Sequence, residues 1–458
     1  MKILLVNPSA GIWNTRNTMP LGLAYIAAVL ENSQHDVKVL DLTVENKTNE
    51  QLGKEIRSAD MLGITSTTPT IYNAWNVCSI AKEEGVPIVM GGPHPTALPQ
   101  ESIEKCDVIV NGEGEKTIVD VCNAIDGKKI KAIMKKVRGI YYKRGKKIVS
   151  TGKQEFIKDL DSIPFPAMHL FPDISNYSTQ HPLLDKKVIS GSIITSRGCP
   201  YNCVFCFKSI FGNVYRYRSP QNVVEEWRLL VEEYSVKEIG IVDDSFTSYP
   251  KRAIEICKLI VEQNLQTPWL TPSGIRIKPI SRELLQWMMR SGCYRVAFGI
   301  ESGSQRVLEK IGKKLTLREI EESVKLAKSV GLETLGFFMI GNYGDNMQSI
   351  KQTIAFSKKL DLDYAQYLIT VPYPGSMLFN IVKQRGRFLI NKWDEYGTFE
   401  DRAYFELDDV TEELVERMHK QAYRDFYVNP KFIMRKALDK KTILNANNYI
   451  KALMRWIG

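Results

Sequence analysis

No run of about eighteen uninterrupted apolar residues occurs in the 458-residue chain, so no segment is expected to cross a membrane. Residues 1–7, MKILLVN, are too short for the apolar core of a secretory signal and read as a strand, which makes a cytoplasmic location the expectation. Histidine is scarce, at five residues, and His35, His169, His181 and His419 carry no signal. Of eight cysteines, Cys78, Cys106, Cys122, Cys257 and Cys293 are scattered, which excludes a secreted disulfide scaffold and reads as small buried hydrophobes. Gly-x-Gly-x-x-Gly is missing after the first strand, as is a Walker A lysine loop, which disfavours a simple nucleotide site.

What is present is an ordinary globular composition, 44% hydrophobic and 25% charged, in a chain long enough for two or three cores. The net charge of +10 is local: residues 128–158 carry +11 and residues 431–458 carry +6, leaving the remainder at −7. Such runs are usually solvated faces, so nucleic acid is not an expected partner.

Residues 1–127 alternate short apolar runs (3–7, 37–42, 61–65, 87–91, 107–111) with amphipathic stretches, the pattern of a five-stranded, doubly wound α/β domain. Ligands of such folds sit at the carboxyl ends of the strands, here loops 8–20, 66–70, 92–95 and 112–115. Residues 128–189 read as a lysine-rich hairpin and a proline-punctuated linker. From 190 to 390 a second alternation places strands at 192–196, 238–243, 270–275, 294–300, 334–341 and 363–371, which predicts a partial (β/α)6 barrel with its site at the strand ends. Residues 391–458 read as a helical carboxyl-terminal region.

Directly after the first of those six strands stands Ser196-Arg197-Gly198-Cys199-Pro200-Tyr201-Asn202-Cys203-Val204-Phe205-Cys206. Three soft thiolates in one short loop suit zinc or iron–sulfur. Structural zinc usually takes four protein ligands, and no fourth Cys or His is near. The spacing C-x3-C-x2-C, with an aromatic residue before the last cysteine, resembles the defining motif of the radical S-adenosylmethionine (SAM) superfamily. The resemblance implies a 4Fe–4S cluster on Cys199, Cys203 and Cys206, a fourth iron chelated by SAM, and Phe205 near the adenine. By the same resemblance Asp243 and Asp244 stand where the family binds the SAM amino group, though the glycine-rich form is absent. Arg276 matches a carboxylate contact, Glu301 a ribose acceptor, and Gly341 the segment passing close to adenine.

In the amino-terminal domain, Pro20-Leu21, Thr65-Ser66-Thr67, Gly91-Gly92-Pro93-His94 and Gly112-Glu113 resemble the loops of cobalamin-binding domains in cobalamin-dependent radical SAM enzymes. Glycines and small hydroxyl residues leave room for a buried nucleotide tail and a flat corrin. The Asp-x-His-x-x-Gly element by which another cobalamin family ligates cobalt is absent, so His94 is expected as a pocket residue or a surface turn, and the lower cobalt face as open.

The resemblance implies methylation of an unactivated carbon, drawing on methylcobalamin and a 5′-deoxyadenosyl radical, with an electron donor such as flavodoxin or ferredoxin. Two alternatives stand beside it: an oxidative cyclase or other radical reaction without net methylation, and a cobalamin-binding sensor or carrier with a structural cluster. No motif marks the substrate, which leaves lipid, peptide and small metabolite open. From Lys431 onward a basic amphipathic helix is expected, docked on the barrel or in contact with a membrane surface.

Overall fold

The computed structural model describes residues 1–9, 18–126, 135–180, 187–397 and 401–438. Two compact units emerge, the first of Met1–Tyr177, Phe207–Arg218 and Lys392–Tyr396, the second of Ser178–Cys206, Ser219–Asn391 and Gly397–Gly458.

In the first unit, β1 (Lys2–Asn7), β2 (Asp36–Asp41), β3 (Met61–Thr65), β4 (Ile88–Gly91) and β5 (Val108–Val110) form a parallel sheet in the order β2-β1-β3-β4-β5. The apolar run of β1 explains why helices cover both faces. Ile3 and Leu5 enter one core with α1 (Leu21–Asn32), while Leu4 and Val6 enter the other with α2 (Asn49–Arg57) and α3 (Ile71–Glu83). A fourth helix, α4 (Glu115–Asp126), joins the side of α1.

The sheet is wider than the sequence predicts. The expected lysine-rich hairpin forms, as β6 (Ile140–Arg144) and β7 (Lys147–Ser150), but it pairs antiparallel onto β5 and extends the sheet to seven strands. The reason is local: Ile140 and Tyr142 alternate inward and are buried, whereas the neighbouring lysines and arginine that suggested a linker point outward. Two further pieces, Phe207–Arg218 and Lys392–Tyr396, join this unit from far along the chain.

The second unit carries β9 (Lys187–Ile193), β10 (Glu238–Ile241), β11 (Trp269–Ile275), β12 (Cys293–Glu301), β13 (Glu333–Ile340) and β14 (Tyr364–Ile369), all parallel in that spatial order. The short β8 (Ser178–Gln180) runs antiparallel at the β9 edge. Helices α5 (Pro220–Glu232), α6 (Pro250–Glu262), α7 (Arg282–Arg290), α8 (Gln305–Lys310), α9 (Leu317–Ser329) and α10 (Met347–Lys359) connect them, as a partial barrel requires. β9 begins five residues ahead of the expected 192–196 and ends at Ile193, three residues short of it. Ser190-Gly191-Ser192 imitates a turn in sequence, yet a Cβ on Gly191 would come within 3.2 Å of Val236, so the glycine admits close packing inside a strand.

The open edge at β14 is closed by side chains. After α11 (Met377–Arg385), α12 (Glu412–Tyr427) lies along β14 and offers two tyrosines one turn apart. Tyr423 Oη accepts from Tyr367 N–H at 3.2 Å and donates to Tyr367 O at 3.1 Å, and Tyr427 Oη does the same for Ala365 at 3.1 and 2.7 Å. Unpaired strand groups are thus satisfied without another strand. The last described helix, α13 (Pro430–Ala437), docks on this unit, and the expected continuation of the basic helix beyond Leu438 lies outside the described residues. No described helix is long and apolar enough to cross a membrane.

Candidate active site

The three cysteines occupy the loop beyond β9, where Cys199 and Cys203 are half-buried and Cys206 is exposed. The loop is braced from two places. Val204 N–H donates to Ile311 O at 3.1 Å, and Leu378 N–H donates to Val204 O at 2.8 Å. Gly312 allows the first contact, since a Cβ there would stand 2.9 Å from Asn202 O. Cys206 shares its thiol hydrogen with Cys203. That hydrogen bond, with the Lys313 and Arg276 cations nearby, brings the Cys203 thiol down to about 6, while Cys206 is pushed up as the proton holder.

Among the described residues, no three His, Cys, Asp or Glu side chains converge on one metal ion. A cubane meets each thiolate at a different iron and needs no such convergence.

Behind the loop, Glu301 ends β12 with a left-handed φ of 67°, where the β12–β13 register also shifts. The distortion turns its carboxylate onto Lys313, whose Nζ donates to Oε1 at 2.6 Å in a buried pair. Gly299 makes the space, because a Cβ there would lie 2.8 Å from Glu301 Oε1 and 3.0 Å from Lys313 Nζ. Arg276 Nη2 donates to Lys313 O at 2.6 Å, and its guanidinium stacks 3.1 Å from the Tyr201 ring centre. Its Nε is buried without a protein partner. Lys313 was invisible in the sequence, because it stands among Lys310 and Lys314 in a run that reads as a solvated face.

Other expected residues serve different ends. Asp243 is fully buried and accepts from Thr195 N–H, Thr195 Oγ1 and Ser196 Oγ, each at 2.6 Å. Both its oxygens are thus engaged, and it braces the strand-to-loop turn. Burial pushes its carboxyl up, and the Arg252 cation and these donors oppose the rise. Asp244 is exposed and accepts from Gly198 N–H at 3.1 Å, and Phe205 is half-buried. Gly341 adopts φ 74°, but a Cβ there would meet Val415 at 2.7 Å, so packing of α12 demands the glycine.

In the first unit the expected loops are knit together at the ends of β3, β4 and β5. Ser66 N–H donates to Gly91 O at 3.0 Å, His94 N–H to Ser66 O at 3.2 Å, and Gly112 N–H to Thr96 Oγ1 at 3.2 Å. Thr65 and Gly91 end their strands and Thr67 is exposed, while Pro20 and Leu21 open α1. Gly92 has φ 99°, and a Cβ there would lie 2.8 Å from both Ser66 O and Thr65 Oγ1. Gly92→Ala is therefore expected to lower stability by about 1–3 kcal/mol in thermal unfolding. Gly22→Ala, with nothing within 4 Å, should cost nothing.

His94 is wholly buried, its Nδ1 3.3 Å from Thr68 Oγ1 and its ring edge-on to Trp393 at 5.3 Å. Burial lowers its pKa to about 4, so the imidazole is neutral, and its Nε2 has no partner. Asn111 Oδ1, at the end of β5, is likewise buried without one. Glu113 is turned elsewhere: its two oxygens accept from Arg216 Nη1 at 2.8 and 2.9 Å, and Oε2 also from Ile157 N–H at 3.0 Å. It anchors Phe207–Arg218 and not the loop cluster.

Residues 193–357 match the model of the radical SAM superfamily and residues 15–122 that of the B12-binding domain. A Pyrococcus horikoshii protein named an uncharacterized methyltransferase is 38% identical over 448 residues, covering 95% of this chain and 94% of that one. The chain belongs to the cobalamin-dependent radical SAM enzymes. Its cofactors are accordingly a 4Fe–4S cluster, SAM and cobalamin, and it needs a substrate and a reductant. A second relative of this radical SAM enzyme, the cytidylyl-2-hydroxyethylphosphonate methyltransferase of Streptomyces wedmorensis, is 31% identical, covering 84% of this chain and 82% of its own. An anaerobic magnesium-protoporphyrin IX monomethyl ester cyclase of Rubrivivax gelatinosus is 29% identical, with 83% and 69% covered. In fold, the radical SAM methyltransferase TsrM of Kitasatospora setae, solved with cobalamin and a [4Fe-4S] cluster, superposes with TM-score 0.69 at 20% identity, covering 84% of this chain and 78% of that one.

The residues present fit these groups. The thiol loop supplies one depressed thiol beside two cations, and the orphaned Arg276 Nε is a donor suited to a carboxylate. The buried, unpartnered atoms of His94 and Asn111 stand at the strand ends of the B12-binding unit, where an amide-rimmed cofactor offers both donors and acceptors.

Proposed function

We propose that this chain transfers a methyl group to an unactivated carbon of its substrate. The observation that carries the reading is the pairing, in one chain, of the braced three-thiol loop with a B12-binding unit whose strand-end loops hold buried polar atoms without partners. When bound, the cluster with SAM supplies a radical able to take hydrogen from such a carbon, and cobalamin supplies the methyl group that replaces it.

The chain's own residues then do the positioning. Cys199, Cys203 and Cys206 hold three irons. Arg276, fixed by Lys313 O and the Tyr201 ring, directs a free donor to the SAM carboxylate. Lys313 spends its charge on Glu301 and on the Cys203 thiolate, while Glu301 presents a carboxylate to hydroxyl donors. Phe205 flanks the adenine. Thr65, Ser66, Thr67, Gly91, Gly92, His94 and Gly112 line the cobalamin site, with Pro20 and Leu21 at its rim. Asp243 braces the Thr195-Ser196 turn that leads into the thiol loop, and Glu113 anchors Phe207–Arg218. A low-potential donor such as flavodoxin or ferredoxin supplies the electron, in the reducing cytoplasm.

The test is anaerobic turnover of the reconstituted holoenzyme with candidate substrates, read by mass spectrometry. Methylation adds about 14 mass units to the product and consumes two SAM for each one formed. The kinship to a cyclase favours a second reading, an oxidative radical reaction, in which product mass falls or is unchanged and one SAM suffices. A protein that never releases 5′-deoxyadenosine under reducing conditions would be a carrier and sink both.

A further inference from the structure

Helix α13 is mounted with its charges inward. Arg435 pairs with the Asp361 carboxylate and reaches Asp361 O at 3.1 Å, and Lys436 is buried with its Nζ 4.4 Å from the Tyr364 ring centre and 4.0 Å from Asp363 Oδ1. Phe432 closes this inner face against Phe426 and Tyr427, at ring separations of 5.1 and 5.2 Å. The outer face is consequently apolar: Ile433 is 40%, Met434 66% and Leu438 83% exposed, with Ala437 exposed between them. Positions 433, 434, 437 and 438 form one stripe along the helix. An ordinary surface helix has the opposite arrangement, and here the ion pairs to Asp361 and Asp363 hold the inverted one in place.

Charge says what the stripe fits. The cations consumed in docking are Arg435 and Lys436, whereas Lys431 is exposed at the start of the stripe. In sequence, Lys440, Lys441, Lys451 and Arg455 follow, interspersed with Ile443, Leu444, Ile450, Leu453, Met454, Trp456 and Ile457, and Asp439 is the lone acid of residues 431–458. Apolar side chains interspersed with lysine and arginine, with a tryptophan among them, are the composition of a segment lying in the interface of an anionic bilayer. We propose that the outer face of α13 is a docking surface for an anionic lipid membrane. Lipid binding at this surface needs no cofactor chemistry.

The test uses the full-length holoprotein and sedimentation with vesicles, either phosphatidylcholine alone or an equal mixture with phosphatidylglycerol. Wild-type protein is expected to pellet with the anionic vesicles, less so at high salt, and to stay in the supernatant with the neutral ones. The double variant Met434→Gln/Leu438→Gln changes exposed side chains only, so its melting temperature and cluster content should be unaltered. Its bound fraction should fall about tenfold or more. Wild-type protein that ignores anionic vesicles, or a double variant that binds as well as wild type, overturns the proposal. So does size-exclusion chromatography that finds a dimer dissolved by the same two substitutions, because a second copy would then be the occupant.

Discussion

Cys203→Ala protein, reconstituted anaerobically with iron and sulfide, is expected to hold no iron above background and to release no 5′-deoxyadenosine from SAM. The loop offers three thiolates, and a cluster left with two protein ligands loses both its seat and the geometry that leaves one iron open. Cys203 is the most telling of the three. Its thiol is held down by the hydrogen bond from Cys206 and by the neighbouring Lys313 and Arg276, which favour the thiolate that iron binds. Cys257 and Cys78 contrast with it, since burial drives their thiols up to about 12. Cys257→Ala should therefore cost packing stability and leave iron and sulfide content at the wild-type level. Loss of iron in Cys257→Ala with retention in Cys203→Ala would remove the basis for the reading. The pH dependence has a definite sign: cluster assembly declines as acid protonates the loop thiolates.

The cysteine trio was legible because its information is local. Three thiols within eight residues cannot avoid one another whatever the rest of the chain does. Period and punctuation likewise carried the parallel strands, since buried runs such as ILLV in β1 report a sheet covered on both faces. What escaped depends on partners far along the chain. Asp243 looked like a ligand because acidic residues at strand ends often are, and only the structure places Thr195 and Ser196 around both its oxygens. At Gly341 the sequence does not show that a Cβ would meet Val415, more than seventy residues later. Lys313 and Arg216 left no trace, for a buried cation is recognised by the carboxylate it meets and not by its neighbours in sequence. The basic hairpin illustrates the same limit. Its lysines dominate the composition, while the burial of Ile140 and Tyr142 decides that it pairs with β5.

Arg216→Ala should lower the stability of the B12-binding unit by about 3–5 kcal/mol, the usual consequence of leaving one member of a buried ion pair alone. The Arg216 and Glu113 side chains are only 6% and 3% exposed. Arg216 Nη1 reaches both Glu113 oxygens and, at 2.7 Å, Ile157 O, while Nη2 reaches Phe211 O at 3.0 Å and the guanidinium lies 4.7 Å from the Phe156 ring centre. A lysine cannot reproduce this fork, so Arg216→Lys should recover only a small part of the loss. Thermal unfolding provides the measurement, at roughly 2–4 °C for each kcal/mol in a unit of this size. Iron content provides a second, because the segment that Arg216 anchors begins at Phe207, next in sequence to Cys206. The deciding variant is Glu113→Gln combined with Arg216→Met, which removes both charges and keeps most of the volume. If the pair matters through its uncompensated charge, the double variant will be more stable than Arg216→Met alone, and the cycle closed with the single variants Glu113→Gln and Arg216→Met will give a coupling energy of about 1–3 kcal/mol. If it is no more stable, the guanidinium acts through its hydrogen bonds to Ile157 and Phe211, and the carboxylate is dispensable.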